Sequence, residues 1–254
     1  MTVTLDQNQW NLVYNVFSFG LVSMLACTVY TLVSQARVLP KYRNALVMSS
    51  MVTFIAAYHY WRIFNSFSEA SKGGLTVDLS GKPGSFNEAY RYVDWLLTVP
   101  LLLVEVVAVL ALAATVSKSL IMRLVPASAA MIALGYPGEV ATKQGDQILY
   151  GVLSTLPFIY ILYVLFVELT KSLDRQPEGV VKTVKNLRLL LIATWGVYPI
   201  AYMFNIWGDS GPESFVAIQV GYTIADVLAK CVFGLTILKI ARMKSHAEGM
   251  PADH

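Results

Sequence analysis

Charge is scarce in this chain. Asp, Glu, Lys and Arg supply 14% of its 254 residues, where a soluble domain carries about 25%. That deficit excludes an ordinary water-soluble globule. Cysteine is scarcer still: Cys27 and Cys231 are the only two. They have neither metal-ligand spacing nor a framework of pairs, and both fall inside apolar runs, so buried thiols are expected. The segment from Met1 to Trp10 lacks the basic head and apolar core of a secretory signal, so the first long apolar run is expected to be the insertion signal. A net charge of +3 is weak evidence for nucleic acid, and no nucleic-acid partner is expected. No low-complexity stretch or linker divides the chain, so one domain over residues 1–254 is expected.

Apolar sequence is abundant, at 56% of residues. A spanning helix needs about 20 mostly apolar residues, and about seven such runs are present. They are Gln9–Gln35, Asn44–Phe67, Ala89–Val116, Leu120–Tyr136, Ile148–Leu169, Lys185–Ile206 and Phe215–Ala241. Backbone polar groups in lipid must be satisfied within the segment, so these runs must be helices. Barrel strands would show a polarity period of two, which these runs lack. The expected fold class is an all-α membrane protein, a bundle of seven transmembrane helices. Alternate loops are basic: Arg37, Lys41 and Arg43, then Lys118 and Arg123, then Lys171, Arg175, Lys182, Lys185 and Arg188, with Lys239, Arg242 and Lys244 in the tail. The intervening loops hold only Lys72, Lys82 and Lys143. The excess of Lys and Arg on the cytoplasmic side places the N-terminus outside and the C-terminus in the cytoplasm. In the long second loop, the alternating stretch Leu75–Leu79 followed by Ser80–Gly84 predicts a small hairpin.

Ionisable groups inside a bilayer cost about 2.5–3.5 kcal/mol each on insertion scales, so they mark sites. The third run reads Arg91-Tyr-Val-Asp94-Trp-Leu-Leu-Thr98-Val-Pro100-Leu-Leu-Leu-Val-Glu105. Asp94 and Thr98 share a helix face, and Glu105 follows Asp94 by about three turns, roughly 16 Å along the axis. The two carboxyls therefore point the same way at two depths. The seventh run places Asp226 one turn before Lys230, on the same face. A lysine at that depth must lose its proton or find a partner, and Asp94 and Asp226 are available. A structural ion pair would account for Lys230 with Asp226 but would leave Glu105 without a purpose. A desolvated lysine is also the usual host of a Schiff base. Trp95, Trp195, Tyr198 near Pro199, and Tyr222 are aromatics suited to a long apolar chromophore.

With these residues in view, the chain resembles the microbial rhodopsins along nearly its whole length. The segments that carry the resemblance are Arg91-Tyr-Val-Asp-Trp-Leu-Leu-Thr-Val-Pro100, Trp195-Gly-Val-Tyr-Pro199 and Asp226-Val-Leu-Ala-Lys230-Cys-Val-Phe-Gly234. Leu134-Gly-Tyr-Pro-Gly-Glu139 and Tyr58-His59-Tyr-Trp are similar to the proteorhodopsin and xanthorhodopsin branch. The resemblance implies all-trans retinal on Lys230, Asp94 as counterion and proton acceptor, Asp226 as second counterion, and Glu105 as proton donor. The triplet Asp94, Thr98, Glu105 then implies a light-driven outward proton pump, a transporter rather than an enzyme, in a bacterial plasma membrane. A sensory photoreceptor signalling through a partner is the alternative within the same fold. His59 matches the histidine that bonds the acceptor aspartate, Met131 and Gly135 match pocket positions, and Leu102 matches a colour-tuning site. Arg91 and Glu139 are candidates for the exit route. Gly151 matches the position where xanthorhodopsin-like relatives open a window for a carotenoid antenna. Glycine in a spanning helix equally serves close packing. The expected partners are membrane lipid, retinal, a carotenoid, and further copies of the chain in a homo-oligomer.

Overall fold

The computed structural model describes residues 1–174, 176–207 and 211–251. Arg175, one of the basic loop residues, lies outside the described residues. Helix α1 covers Gln7–Val33, α2 Pro40–Ser71, α3 Ala89–Leu110, α4 Ala114–Glu139 and α5 Gln144–Leu173. Two more spans are composite. The sixth is α6 (Glu178–Trp195) followed by α7 (Val197–Trp207). The seventh is α8 (Pro212–Asp226), a π-helical segment (Val227–Val232) and α9 (Phe233–Ala247).

The ends of these elements have local causes. Asp6 accepts from the Gln9 amide while the Gln9 side chain accepts from the Asp6 amide, so α1 opens on a reciprocal capping box. Pro40 sits in the first turn of α2, where its missing N–H costs nothing. The third run was expected to reach Val116, but α3 stops at Leu110 because Ala111 turns into the left-handed region at φ 50°. The buried ammonium of Lys244 donates to the freed carbonyls of Val109 (3.1 Å) and Leu110 (3.0 Å). The sixth span breaks after Trp195 because Pro199 lacks an N–H and its ring crowds the carbonyl four residues back.

Among the described residues, four helices are long and apolar enough to cross a membrane on their own: the α1 region, α3, α4 and α5. The other spans are too polar or too broken to qualify singly. They complete the bundle by packing, since α2 lies between α1 and α3, and the seventh span lies against α1, α2, α3 and the sixth. Val22, Leu25, Val29 and Val33 on α1, and Val152, Leu156, Ile159 and Tyr163 on α5, are exposed. Those are the faces that lipid covers in an integral multi-pass protein.

The second loop departs from expectation. The strand Thr76–Asp78 (β2) forms, but its partner is Thr2–Thr4 (β1) rather than a neighbouring segment of the loop. The antiparallel register pairs Thr2 with Asp78, Val3 with Val77 and Thr4 with Thr76. A local reading of turn residues could not find a partner at the other end of two helices. Val3 and Val77 are buried over a cluster containing Phe17, Phe67, Phe86 and Phe215, which closes this end of the bundle.

Candidate functional site

The π-helical segment carries Lys230. One extra residue per turn widens the backbone there, a distortion common at functional sites. Lys230 Nζ donates to Asp94 Oδ2 at 2.5 Å and to Asp226 Oδ1 at 2.9 Å. The three residues are 2%, 1% and 1% exposed. Removing one partner of such a buried set leaves an uncompensated charge, which costs about 3–5 kcal/mol. Arg91, also buried, supplies the second cation that balances the two aspartates.

Asp226 is held from four sides. Its Oδ1 also accepts from Tyr198 OH (2.6 Å) and Trp95 Nε1 (3.1 Å), and its Oδ2 accepts from Tyr60 OH (2.8 Å). Asp94 is bound more loosely, because its Oδ1 has no hydrogen-bond partner. The expected bond between His59 and Asp94 is not made. His59 Nδ1 is 4.0 Å from Asp94 Oδ1 and instead donates to the Ile55 carbonyl at 2.9 Å, one turn back on α2. The nitrogen nearest Asp94 is thus committed to the backbone. Thr98 Oγ1 donates to the Asp94 carbonyl at 2.8 Å, so it touches Asp94 through the main chain and not through the carboxyl.

Glu105 stands apart on α3, with no exposed surface. Its Oε1 accepts from Ser49 Oγ at 2.5 Å, and its Oε2 has no hydrogen-bond partner among the described residues. Gly234, one turn beyond Lys230, makes room for this contact. A Cβ there would lie 2.4 Å from Ser49 Oγ.

A cleft of about 120 Å³ is lined in part by Lys230. Every pocket residue read from the sequence lines it: Trp95, Leu102, Met131, Gly135, Gly151, Trp195, Tyr198, Pro199 and Tyr222. Gly151 abuts the Tyr202 ring, which a Cβ would meet at 2.9 Å. Its openness to the cleft and its close packing thus coexist. On α4, Glu139 accepts from Tyr92 OH at 3.1 Å.

Sequence reasoning missed several members. Ser49 and Tyr60 on α2, Glu88 and Tyr92 at the start of α3, and Gln219 on α8 all bond to residues it singled out. The only signal for Ser49 was a polar Ser49-Ser50-x-x-Thr53 stretch inside an apolar run. Gln219 likewise stands out as an amide in an apolar run.

The fold and site together are a seven-helix membrane bundle in which Lys230 lies buried between two carboxylates and beside an aromatic cleft. The comparisons agree. The model of the bacteriorhodopsin-like protein family matches residues 11–243, and the chain belongs to that family as a microbial, type 1 rhodopsin. It is 32% identical over 236 residues to the green-light absorbing proteorhodopsin of Gamma-proteobacterium EBAC31A08, covering 91% of this chain and 88% of that one. Among solved structures it is similar to a thermophilic rhodopsin, with 44% identity, a TM-score of 0.92, and coverage of 98% of this chain and 100% of the other. It is also similar to xanthorhodopsin, described as a light-driven ion pump with dual chromophore, with 46% identity, a TM-score of 0.90 and 99% coverage of each chain.

Proposed function

We propose that this protein is a light-driven outward proton pump that carries all-trans retinal on Lys230, built as one seven-helix unit over residues 1–254. The observation that carries the reading is the pair of buried carboxyls on α3. Asp94 is bonded to Lys230 Nζ, while Glu105 lies further along the same helix and accepts a hydrogen bond from Ser49. A structural ion pair needs the first and has no use for the second. Proteorhodopsin and xanthorhodopsin as relatives support the same reading.

The residues present fit the chromophore. The cleft walls are aromatic and apolar, and they include an amine whose positive charge Asp94 and Asp226 neutralise. When bound on Lys230, retinal would supply light absorption and a light-driven change of shape, while Lys230 Nζ holds the proton beside Asp94. Asp94 accepts that proton, being ionised, adjacent and bound by few other donors. Asp226 stays ionised because Tyr60, Tyr198 and Trp95 already donate to it. Glu105 returns a proton to Nζ from the opposite end of the bundle, and Ser49 stabilises the carboxylate left behind. With the basic loops in the cytoplasm, the acceptor lies toward the outside and the donor toward the inside, so transport runs outward.

The test is light-induced pH change in retinal-fed cells. Acidification of the medium that an uncoupler abolishes is the expected result, and illumination without any pH change would sink the reading. A carotenoid antenna at Gly151 is a further part of the proposal, supported by the place of Gly151 in the cleft wall and by the dual chromophore of xanthorhodopsin. Adding a hydroxylated carotenoid should put carotenoid bands into the excitation spectrum for pumping. Their absence would reject the antenna.

A further inference from the structure

Glu88 precedes α3 as its N-cap residue, yet its side chain does not cap the helix. That position favours a carboxylate on the exposed amides. Here Asn87 Oδ1 takes the Ala89 amide instead, at 3.0 Å. The Glu88 carboxyl turns across the bundle to α8, where its Oε1 accepts from Gln219 Nε2 at 2.6 Å. Gln219 Oε1 in turn accepts from Arg91 Nη2 at 2.8 Å, and Arg91 Nε lies 3.6 Å from Glu88 Oε2. Arg91 Nη1 reaches Tyr60 OH at 3.4 Å, and Tyr60 OH donates to Asp226. Contacts therefore run without a gap from Lys230 through Asp226, Tyr60, Arg91 and Gln219 to Glu88.

The two ends of this chain of contacts differ in one respect. Lys230 and Asp226 are sealed, whereas 29% of the Glu88 side chain is exposed. Between them, Arg91 and Gln219 have no proton to give at working pH. They position Glu88 and couple it electrostatically to the aspartates. Among the described residues, Arg91 faces Glu88 directly, and Tyr60 on α2 and Tyr222 on α8 face Arg91. Both tyrosine rings lie against the Arg91 guanidinium, with centroids at 5.8 and 5.3 Å. Glu88 is thus the carboxyl within this network that meets the outside.

Resting on the proton-pump reading, we propose that Glu88 is the last proton-carrying group of the exit route. When Asp94 returns to its carboxylate, the proton it held is taken up by the Glu88 carboxylate. Glu88 then releases it to the external water and regains its ion pair with Arg91. Glu139 on α4 accepts from Tyr92 OH on α3.

The experiment uses the purified, retinal-loaded full chain, flash-excited while a pH dye reports external protons and infrared difference spectra report carboxylic acid groups. Glu88→Gln keeps size and hydrogen bonding but carries no proton. It should delay proton appearance by about 100-fold or more, the range that acid–base groups contribute. It should also remove a transient carboxylic acid band present in the parent. Glu88→Asp should restore the band and most of the rate. Gln219→Met, which cuts the bridge while keeping the carboxyl, should delay release and shift the band. Unchanged release in Glu88→Gln, or a band that persists in it, overturns the proposal. So does a delay found in Glu139→Gln alone. If Glu88→Gln does not bind retinal, the Gln219→Met spectra decide, and an unshifted band rejects Glu88. A parent protein that releases no proton at all would instead reject the pump reading itself.

Discussion

Replacing Gly234 with alanine tests the Glu105 site without substituting the carboxyl. The new Cβ would sit 2.4 Å from Ser49 Oγ and 3.6 Å from Ser49 Cβ. The backbone of the seventh span is packed against α2, so the flexible hydroxyl must yield. Rotating it away breaks the 2.5 Å bond to Glu105 Oε1, and Glu105 Oε2 has no hydrogen-bond partner among the described residues to compensate. A buried carboxyl that loses its donor loses about 1–3 kcal/mol of stabilisation of its ionised form. Glu105 must ionise to deliver its proton, so delivery to Lys230 Nζ should slow by about 5-fold to 150-fold. Time-resolved absorption of retinal-loaded protein reads that step as the recovery of the protonated pigment. Ser49→Ala should slow it to a similar degree. The double variant should be no slower than either single, because both remove the same bond. A Gly234→Ala protein with parental recovery, or a double variant in which the effects multiply, would refute the mechanism.

The other predictions concern the lysine, the acceptor, the end of α3 and the tail. Lys230→Ala should yield no pigment with retinal, and it should destabilise the ligand-free protein by about 3–5 kcal/mol by leaving Asp94 and Asp226 facing each other. Adding Asp94→Asn should recover part of that loss in thermal melts, and no recovery would contradict the charge accounting. Asp94→Asn alone should shift absorption to the red and stop transport, and cells that still acidify the medium under light would remove Asp94 as acceptor. Lys244→Met should unpair the Val109 and Leu110 carbonyls and lower stability by about 1–3 kcal/mol, and hydrogen exchange confined to the last turn of α3 should rise. Exposed Glu248 is held below the usual glutamate range by hydrogen bonds from Lys41 and Tyr42. A depressed carboxyl value means the contact is intact at neutral pH and is lost as pH falls through the depressed value. A spin label at Ala247 should therefore gain mobility only in acid, and pH-independent mobility would show that the contact does not hold the tail.

Much of this protein was written in its sequence. Long apolar runs with few charges force helices, because lipid offers no partner to an open backbone. Lys230, Asp226, Asp94 and Glu105 stood out because a charge at that depth is costly enough to be rare. Their relative heights followed from helical rise alone. Trp95, Trp195, Tyr198 near Pro199, and Tyr222 are legible as aromatic sequence suited to a chromophore beside Lys230, whereas Leu102, Met131, Gly135 and Gly151 come from resemblance.

Tertiary structure decided what depends on contacts between distant segments. The partner of β2 is the N-terminal strand, and no turn signal could reveal a pairing across two helices. His59 lies beside Asp94 but bonds its own helix, an outcome set by ring orientation rather than by position. Ser49 and Gln219 reach Glu105 and Arg91 only because α2 and α8 pack against α3. Sequence determines which groups cannot be left alone in a membrane, through solvation energies that each residue carries with it. Which partner each group takes is a matter of distances of a few ångströms between helices, and these exist only in the assembled bundle.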